Sequence, residues 1–289
     1  MKDTKQNNEY FDNIDRFFSN VNIKWKKSKE EIWNETFENM VNSNSTNAKK
    51  TKVIHLVYKV SIAAVITLLI GVSSVMYFYT ETILCPKGKH LSKLLPDNSE
   101  IKLNSGSQIS YKPYIWWLKR EVKLNGEAYF KVTKGTNFKV VSSKGITQVL
   151  GTSFNIFARN NKYKVTCITG KVRVISKQKN DTSILTQNQE VYLLKNGKLK
   201  KNKDVKIENT TAWINNKFVF TSTPLSEVFK EIERQYNITI FNKNIDNLIY
   251  TGNFSKNNSI EDVMNLVCTP MNITFVKKGK FEYHIIQNK

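Results

Sequence analysis

An uninterrupted apolar segment, Val60–Thr80, limits what this chain can fold into more than any other feature of the sequence. It contains no charged residue, and Lys59 and Glu81 close it on either side. As a helix it would be roughly 31 Å long, close to the roughly 30 Å hydrocarbon core of a bilayer. A signal peptide would lie at the extreme N-terminus, and a soluble core helix would show a polar face. We therefore predict one transmembrane helix, within residues 56–80.

The charges on the two flanks of this segment predict its orientation. The C-terminal flank begins with Glu81, whereas lysines crowd the N-terminal flank. By the positive-inside rule, the arm at residues 1–52 is cytoplasmic and the long region after the helix lies outside. That outer region is long enough for one large or two small domains. The N-terminal lysines are Lys49, Lys50, Lys52 and Lys59.

The strongly basic composition does not predict a nucleic-acid partner. The 289-residue chain has a formal net charge of +21. Its lysines are scattered along the whole outer region, and no basic helix or nucleic-acid motif concentrates them. Most of this charge would also lie outside the membrane. We therefore expect no direct contact with nucleic acid.

No sequence motif predicts catalysis, a metal or a cofactor. Cys85, Cys167 and Cys268 are widely spaced and form no CxxC pair, so neither a zinc ribbon nor a redox site is indicated. The three histidines are far apart, and the chain has no GxSxG, HExxH, Walker or GxGxxG motif. We expect Cys167 and Cys268 to be small buried residues. We predict no enzymatic activity.

The cytoplasmic arm carries two amphipathic helical patterns. One lies within residues 10–21, and the other begins at a capping box in which Ser28 is the N-cap and Glu31 follows three residues later. The two apolar faces could pair with each other or dock on a partner. We favour a partner, because the aromatic side chains exceed what a two-helix hairpin covers. The face residues are Tyr10, Ile14, Phe17, Phe18 and Val21, then Ile32, Trp33, Phe37, Met40 and Val41.

The outer region begins with an all-β pattern, which we assign to residues 85–207. Short alternating segments are separated by turn signals at Asn125–Gly126, Thr169–Gly170 and Asn196–Gly197. A sandwich and a solenoid-like stack both fit this pattern. The predicted strands include 100–103, 121–124, 128–132, 138–141, 164–168 and 171–174.

A small α+β pattern follows at residues 213–287. It reads as a βαβ unit that occurs twice. Pro224 is expected at the first position of the first helix, and Ser259 is expected to cap the second. The predicted fold class is therefore a single-pass membrane protein with a short helical arm, a transmembrane helix, an all-β domain and an α+β domain.

Four motifs of the all-β region, in this order, resemble those of the FecR family. Leu95–Ser99 (LPDNS) is similar to its LPDGS, and Leu124–Phe130 (LNGEAYF) to its LxGEAYF. Val149–Ile156 (VLGTSFNI) is similar to VLGTxFNV, and Thr169–Val172 (TGKV) to the GxV that follows. We interpret the motif residues as fold-defining: Pro96, Asp97, Gly126, Glu127, Tyr129, Phe130, Gly151, Thr152, Phe154 and Gly170.

The sequence also predicts the roles of individual motif residues. Asn98 stands where the family has glycine, and a turn accepts this because asparagine also visits positive φ. Gly126 and Gly151 suit positive-φ turns. Glu127 could be an acid or base, but we favour a solvated or hydrogen-bonded carboxyl. Tyr129 and Phe130 should be core residues on alternate faces of a strand.

The resemblance extends beyond the all-β region. Pro224–Val228 (PLSEV) is similar to the helix start of the STN-like domain found in many members. In the arm, Ser28–Trp33 (SKEEIW) is similar to the SKEEVW of members from Bacteroidota-type bacteria. The resemblance therefore covers residues 85–287 and, less specifically, the arm.

The family implies an anti-sigma factor in the bacterial inner membrane. Its cytoplasmic arm would hold an extracytoplasmic-function (ECF) sigma factor, through contacts assigned to Ile14, Phe17, Phe18, Trp33 and Phe37. Its periplasmic part would meet the signalling domain of a TonB-dependent outer-membrane transducer. Release would involve membrane proteases, with control of nutrient-uptake genes for iron or glycans as the result.

Two alternative functions remain open on sequence alone. One is a membrane-tethered periplasmic binding or scaffold protein whose arm is inert. The other is a periplasmic enzyme, which would need a polar cluster in a cleft. Gly71, Ser73 and Ser74 in the transmembrane helix could ease unwinding for a protease or could instead form helix–helix contacts.

Overall fold

The computed structural model describes residues 26–43, 51–241, 245 and 247–287. Its contacts divide the chain into two units, Met1–Gly71 and Val72–Lys289, and each is described here by itself. The first predicted arm helix, at residues 10–21, lies outside the described residues.

The second arm helix, α1, begins where its capping box predicts. It spans Lys29–Ser43. The backbone N–H of Ser28 donates to Glu31 Oε2 at 2.9 Å, and the N–H of Glu31 donates to Ser28 Oγ at 3.2 Å. These two bonds satisfy N–H groups that the first helical turn leaves without an internal acceptor.

The predicted membrane segment is a continuous helix, α2 (Thr51–Phe78). Its part from Val57 to Phe78 is long and apolar enough to cross a membrane. The hydroxyls of Ser61 and Thr67 donate to carbonyls one turn earlier, at 2.9 and 2.8 Å, so these polar groups are satisfied within the helix. One such helix near the N-terminus fits a single-pass inner-membrane protein. The helix ends two residues before Thr80, the boundary predicted from the sequence.

Thirteen strands follow, and they form the β region that we call the sandwich. Their bounds are β1 Glu81–Cys85, β2 Leu91–Leu94, β3 Glu100–Leu103, β4 Ser107–Tyr111, β5 Arg120–Lys131, β6 Phe138–Val141, β7 Gly145–Val149, β8 Ser153–Arg159, β9 Lys162–Thr169, β10 Lys171–Ser176, β11 Thr182–Thr186, β12 Gln189–Leu193 and β13 Leu199–Asn202.

Strand β5 belongs to both sheets of the sandwich. Its first half pairs with β4 and β6, which continue the sheet β1-β4-β5-β6-β7-β10-β11. Its second half pairs with β3 and β8 in the sheet β2-β3-β5-β8-β9-β12-β13. Apart from the parallel pair β5–β6, the described sandwich strands pair antiparallel with their neighbours. Because both halves share β5, the thirteen strands form one continuous sheet that is folded over on itself, which is nearer to a sandwich than to a solenoid-like stack.

The predicted turn at Asn125–Gly126 is wrong. Both residues lie inside β5, and the segments predicted as separate strands, 121–124 and 128–132, belong to one continuous strand that ends at Lys131. Gly126 has φ +119° and marks the point where β5 passes from one sheet to the other. Asparagine–glycine is a strong hairpin signal, but here the same conformational freedom bends a strand.

The two sheets enclose a common apolar core. The rings of Phe130 and Phe154 stack with centroids 5.1 Å apart, and Phe130 also contacts Phe138 of the other sheet at 6.2 Å. All three are fully buried, and each such side chain contributes about 1.5–3 kcal/mol by leaving water. Cys85 and Cys167 are buried free thiols in this core.

The remaining chain forms a smaller α+β unit, here called the C-terminal lobe. It contains α3 Ile207–Thr211, β14 Lys217–Pro224, α4 Leu225–Tyr236, β15 Thr239–Phe241, β16 Ile249–Ser255, α5 Ile260–Cys268, β17 Ile273–Gly279 and β18 Glu282–Gln287. The helices pack their buried faces, including Phe229 and Met264, into one core.

Strands joined by a helix lie in different sheets of the C-terminal lobe. β14 pairs antiparallel with β16, whereas β15, β18 and β17 form a second sheet. Ser259 caps α5 as predicted, because its Oγ accepts the N–H of Asp262 at 3.1 Å. Pro224 is the N-cap of α4 rather than its first helical residue, since its ψ of 131° still belongs to the preceding strand.

We predict that Gly126→Ala destabilises the sandwich by about 3 kcal/mol or more. The new methyl carbon would lie 2.6 Å from Cβ and Oγ of Ser107. Ser107 cannot easily move, because its hydroxyl donates to the carbonyl of Glu127 and accepts the N–H of the same residue. Urea unfolding of the full chain in detergent, followed by tryptophan fluorescence, measures the change.

Gly279→Ala is the matched control for this substitution. The nearest atom to its added carbon is 3.5 Å away, an ordinary contact. We expect the unfolding free energy of this variant to stay within about 1 kcal/mol of the wild type. Equal effects of the two substitutions would contradict the crowding argument.

Candidate functional site

The first family motif forms a turn held by an ion pair. The turn closes through a hydrogen bond in which the N–H of Leu95 donates to the carbonyl of Ser99 at 2.9 Å. Pro96 lies inside this turn. Asn98 has φ +61°, as expected for the residue that stands in place of glycine. The Asp97 carboxylate accepts Nε and Nη2 of the buried Arg120. This motif therefore ties the turn to the start of β5.

The motif residues after β7 join two further strands. The Thr152 carbonyl accepts the N–H of Val132 at 3.0 Å, and its hydroxyl donates to the carbonyl of Lys171 at 3.1 Å. An added carbon at Gly170 would lie 3.0 Å from Thr152 Oγ1, and one at Gly151 would lie 2.7–2.8 Å from Lys134. These glycines are needed for close backbone approach, which is a structural role.

Glu127 of the second motif is a buried carboxyl with two amide donors. Asn104 Nδ2 donates to its Oε2 at 2.9 Å, and Asn155 Nδ2 donates to its Oε1 at 3.0 Å. The three side chains are buried where the sandwich meets the C-terminal lobe. Of the two roles considered for Glu127, the hydrogen-bonded one is observed. A buried carboxyl without such donors would be costly.

The same hydrogen-bond network crosses into the C-terminal lobe through Gln235 of α4. Gln235 Nε2 donates to Asn104 Oδ1 and to Glu231 Oε1, each at 2.7 Å. Its Oε1 accepts the Ser105 hydroxyl at 3.0 Å and lies 3.1 Å from His90 Nε2. One buried amide therefore links a sandwich loop to a helix of the lobe on both its donor and its acceptor side.

Charged groups surround this amide. Glu231 forms a salt bridge with Arg234 one turn along α4. On the sandwich side, Arg159 donates to the carbonyl of Ser105 at 2.7 Å and to Ser107 Oγ at 2.9 Å. The Glu231–Arg234 pair is local to α4, whereas the sequence does not predict the contacts of Arg159, because its partners come from a different element.

Aromatic side chains complete the junction. Trp213 Nε1 donates to Asn155 Oδ1 at 3.3 Å, and its ring meets His90 edge to face at 5.4 Å. Tyr129 packs against the core of the C-terminal lobe, while its neighbour Phe130 points into the sandwich. The prediction that these two motif residues face opposite ways is confirmed, and the outward face is the junction.

The two buried carboxyls have opposite ionisation tendencies. Burial raises the pKa of Glu127, the nearby charge of Glu231 raises it further, and Arg159 opposes both effects. Burial also acts to raise the pKa of Glu231, but the charges of Arg234 and Arg159 outweigh it and lower that pKa. The charges at the junction therefore favour ionisation of Glu231 over ionisation of Glu127.

The junction is a buried polar network that joins the sandwich to the C-terminal lobe. Its carboxyls and amides bond to one another and are hidden from solvent. Within the described part of the chain, no cluster of three or more His, Cys, Asp or Glu residues could hold a metal ion. Buried polar networks of this kind specify how two elements dock, because any other packing leaves their groups unpaired.

A cleft of about 560 Å³ opens beside the junction. Glu127, Trp213 and Glu231 contribute to its wall, and a salt bridge between Lys162 and Glu227 joins the sandwich to the lobe at its edge. The cleft is large enough for a small molecule.

Helix α1 presents a second candidate surface. The side chains of Trp33 and Phe37 are 68% and 57% exposed, and their rings stack at 6.3 Å. Ile32, Met40 and Val41 are exposed on the same helix. Of the proposed sigma-factor contacts, Ile14, Phe17 and Phe18 lie outside the described residues.

Sequence reasoning missed half of the junction. Glu127 was identified by its motif, and Asn155 lies in the third motif, but Asn104, Arg159 and Gln235 belong to no motif. One signal was present: Glu231 and Gln235 lie four residues apart, beside the apolar positions of α4. Polar residues that interrupt an apolar helix face indicate a buried polar contact.

Comparison with known proteins agrees with this architecture. The family model described as FecR protein matches residues 81–173, and the model described as FecR, C-terminal matches residues 217–285. Two crystal structures, at 2.50 and 1.65 Å resolution, are similar to the chain, and each is described as a "putative anti-sigma factor" from Parabacteroides distasonis ATCC 8503. Both are 27% identical to the chain, with TM-scores of 0.67 and 0.66. The similarity covers 73% and 72% of this chain and 100% of each of those chains. No curated protein matches the sequence.

We predict that Gln235→Ala lowers the free energy of unfolding by about 3 kcal/mol, because it leaves several buried polar partners unsatisfied. Gln108→Ala, at an exposed position of β4, should change it by no more than about 0.5 kcal/mol. Urea titration of the full chain in detergent measures both variants. A small effect at Gln235 would show that the network does not stabilise the junction.

Proposed function

The chain belongs to the FecR family, and from this premise we propose that it is a single-pass membrane anti-sigma factor that relays a periplasmic signal to a cytoplasmic ECF sigma factor. The family and the similar structures support an anti-sigma role, and the family is regulatory and non-enzymatic. One observation carries the finer proposal: an exposed apolar helix face precedes a membrane-length helix, and both FecR modules follow it.

In this proposal the arm binds the sigma factor. The exposed rings of Trp33 and Phe37 present an apolar surface that water disfavours and a groove on a partner would cover. Ile14, Phe17 and Phe18 would extend this surface from the preceding segment. Bound there, the arm would cover the surface through which the sigma factor meets RNA polymerase.

The C-terminal lobe receives the signal in this proposal. We assign it an STN-like role, in which it binds the signalling domain of a TonB-dependent outer-membrane transducer. Strand β17 (Ile273–Gly279) supports this assignment, because among the described residues it pairs only with β18. In this proposal a strand of the transducer domain adds beside β17, the last strand in the order β15-β18-β17.

The junction would transmit the signal from the lobe towards the membrane. A partner that pulls on the C-terminal lobe would stretch the hydrogen bonds of Gln235 with Asn104 and Ser105. These contacts bind the lobe to the sandwich, whose first strand follows the transmembrane helix directly. Displacing the lobe would then expose sandwich surface to proteolysis.

Release of the sigma factor would follow cleavage by membrane proteases. Gly71, Ser73 and Ser74 are weak helix formers within α2, and a protease in the membrane needs a locally unwound substrate. In the proposed orientation the arm is cytoplasmic, and the sandwich and the C-terminal lobe are periplasmic. The lysines before α2 support this orientation.

The cleft beside the junction favours one alternative. A membrane-tethered periplasmic protein that binds a small molecule there would leave the arm inert. The two functions differ in a single property, which is whether the arm captures a sigma factor.

Capture of a purified ECF sigma factor tests the proposal, with each ECF sigma factor of the source bacterium tried in turn. We expect the full chain in detergent to retain one of them, and Trp33→Ala combined with Phe37→Ala to weaken that capture at least tenfold. The control is Glu35→Ala combined with Glu38→Ala, which changes another face of α1 and should leave capture unchanged. If the aromatic double variant bound as tightly as the wild type, the assignment of the arm would be wrong.

Photocrosslinking tests the proposed transducer contact. We expect a photoreactive amino acid at Val276, an exposed position of β17, to crosslink to the signalling domain of a TonB-dependent transducer from the same bacterium. The same probe at Leu266, which is exposed on α5, should not crosslink. Crosslinks from Leu266 alone would move the contact away from the β17 edge.

A further inference from the structure

Strand pairing places one sandwich loop at the level where the transmembrane helix ends. β1 begins at Glu81, three residues after the last helical residue, Phe78. β4 runs antiparallel to β1, and its last residue, Tyr111, pairs with Glu81. The loop from residue 112 to residue 119, which connects β4 to β5, therefore leaves the sheet beside the end of the helix.

This loop is anchored so that its next side chains face outward. Trp116 is buried and meets the rings of Tyr111 and Phe138 edge to face, at 5.6 and 5.9 Å. The helical turn around it closes through the N–H groups of Trp116 and Leu118, which donate to carbonyls three residues earlier. Trp117 and Leu118 are consequently 78% and 64% exposed.

The same loop contacts the last residues of the helical segment. Tyr114 packs on Tyr79 with ring centroids 5.3 Å apart. Lys112 donates from Nζ to the carbonyl of Tyr77 at 2.9 Å and lies 4.8 Å from the centre of that ring. These bonds hold the loop at the helix end.

We propose that Tyr114, Trp117 and Leu118 form a lipid-binding platform that rests in the interface of the membrane crossed by α2. Two adjoining exposed apolar residues cost free energy in water, and a folded soluble domain normally hides them. Tryptophan and tyrosine favour the headgroup region, where a ring is apolar at one end and hydrogen-bonded at the other.

Continuity with the membrane-length helix identifies phospholipid as the occupant. The platform joins α2 through Tyr79 and Lys112. Lys119 at the end of the loop is exposed and pairs with Glu121 at 3.2 Å, and an ammonium group so placed suits the phosphate level of a bilayer. The proposal holds for either orientation of the helix and does not depend on the anti-sigma role.

The platform would hold the sandwich against the bilayer rather than at the end of a free tether. A sheet seated there has little freedom to tilt. The C-terminal lobe contacts the sandwich at Gly88, which lies beyond the other end of β1. Motion of the lobe would then act at the junction.

Spin labels on the full chain in vesicles test the platform. Trp117→Cys and Leu118→Cys receive the label, and Leu266→Cys, an exposed leucine of the C-terminal lobe, is the control. The native cysteines are buried and react slowly. The vesicles contain phosphatidylethanolamine and phosphatidylglycerol, and collisions with oxygen and with a water-soluble nickel reagent are measured.

A membrane-seated platform predicts an oxygen-to-nickel collision ratio at residues 117 and 118 at least threefold above that at residue 266. Equal ratios at all three positions would place the loop in water and overturn the proposal. Low collision rates with both reagents at 117 and 118 would show a protein covering and would also overturn it. Folding of each labelled variant is checked by its urea midpoint.

Discussion

A buried carboxyl must find hydrogen-bond donors, and the bonds that Glu127 accepts determine how the sandwich and the C-terminal lobe are assembled. Its donors, Asn104 and Asn155, are held in turn by Gln235 and Trp213 of the C-terminal lobe. If the lobe separated, these amides would lose partners and Glu127 would meet solvent. The docking of the sandwich and the lobe therefore depends on one hydrogen-bond network, in which removing one member leaves the next member without a partner.

Strand β5 brings this carboxyl to the junction. The bend at Gly126 lets one strand serve two sheets, so that Phe130 fills the common core while Glu127 and Tyr129 reach the lobe. The FecR motif thus places neighbouring residues of one strand in two environments, the core of the sandwich and the junction with the lobe.

Several features could be predicted from sequence because their causes are local. The capping box at Ser28 and the N-cap at Ser259 form between residues three positions apart, and the membrane-length helix follows from an apolar run. The Asn125–Gly126 turn was wrong because the same dipeptide suits a hairpin or a strand bend, and only neighbouring strands decide which. The bond from Gln235 to Asn104 joins residues 131 positions apart, which no local pattern records.

By itself, then, the sequence determined the elements: one helix suited to a membrane, a capped arm helix with an aromatic face, and strands set by alternation. Only the tertiary structure decided that β5 crosses between sheets and that Asn104 forms hydrogen bonds with both Glu127 and Gln235. It also decided that the loop of Trp117 lies beside the helix end. The physical reason is that periodicity depends on neighbours along the chain, whereas burial and pairing depend on which distant segments meet.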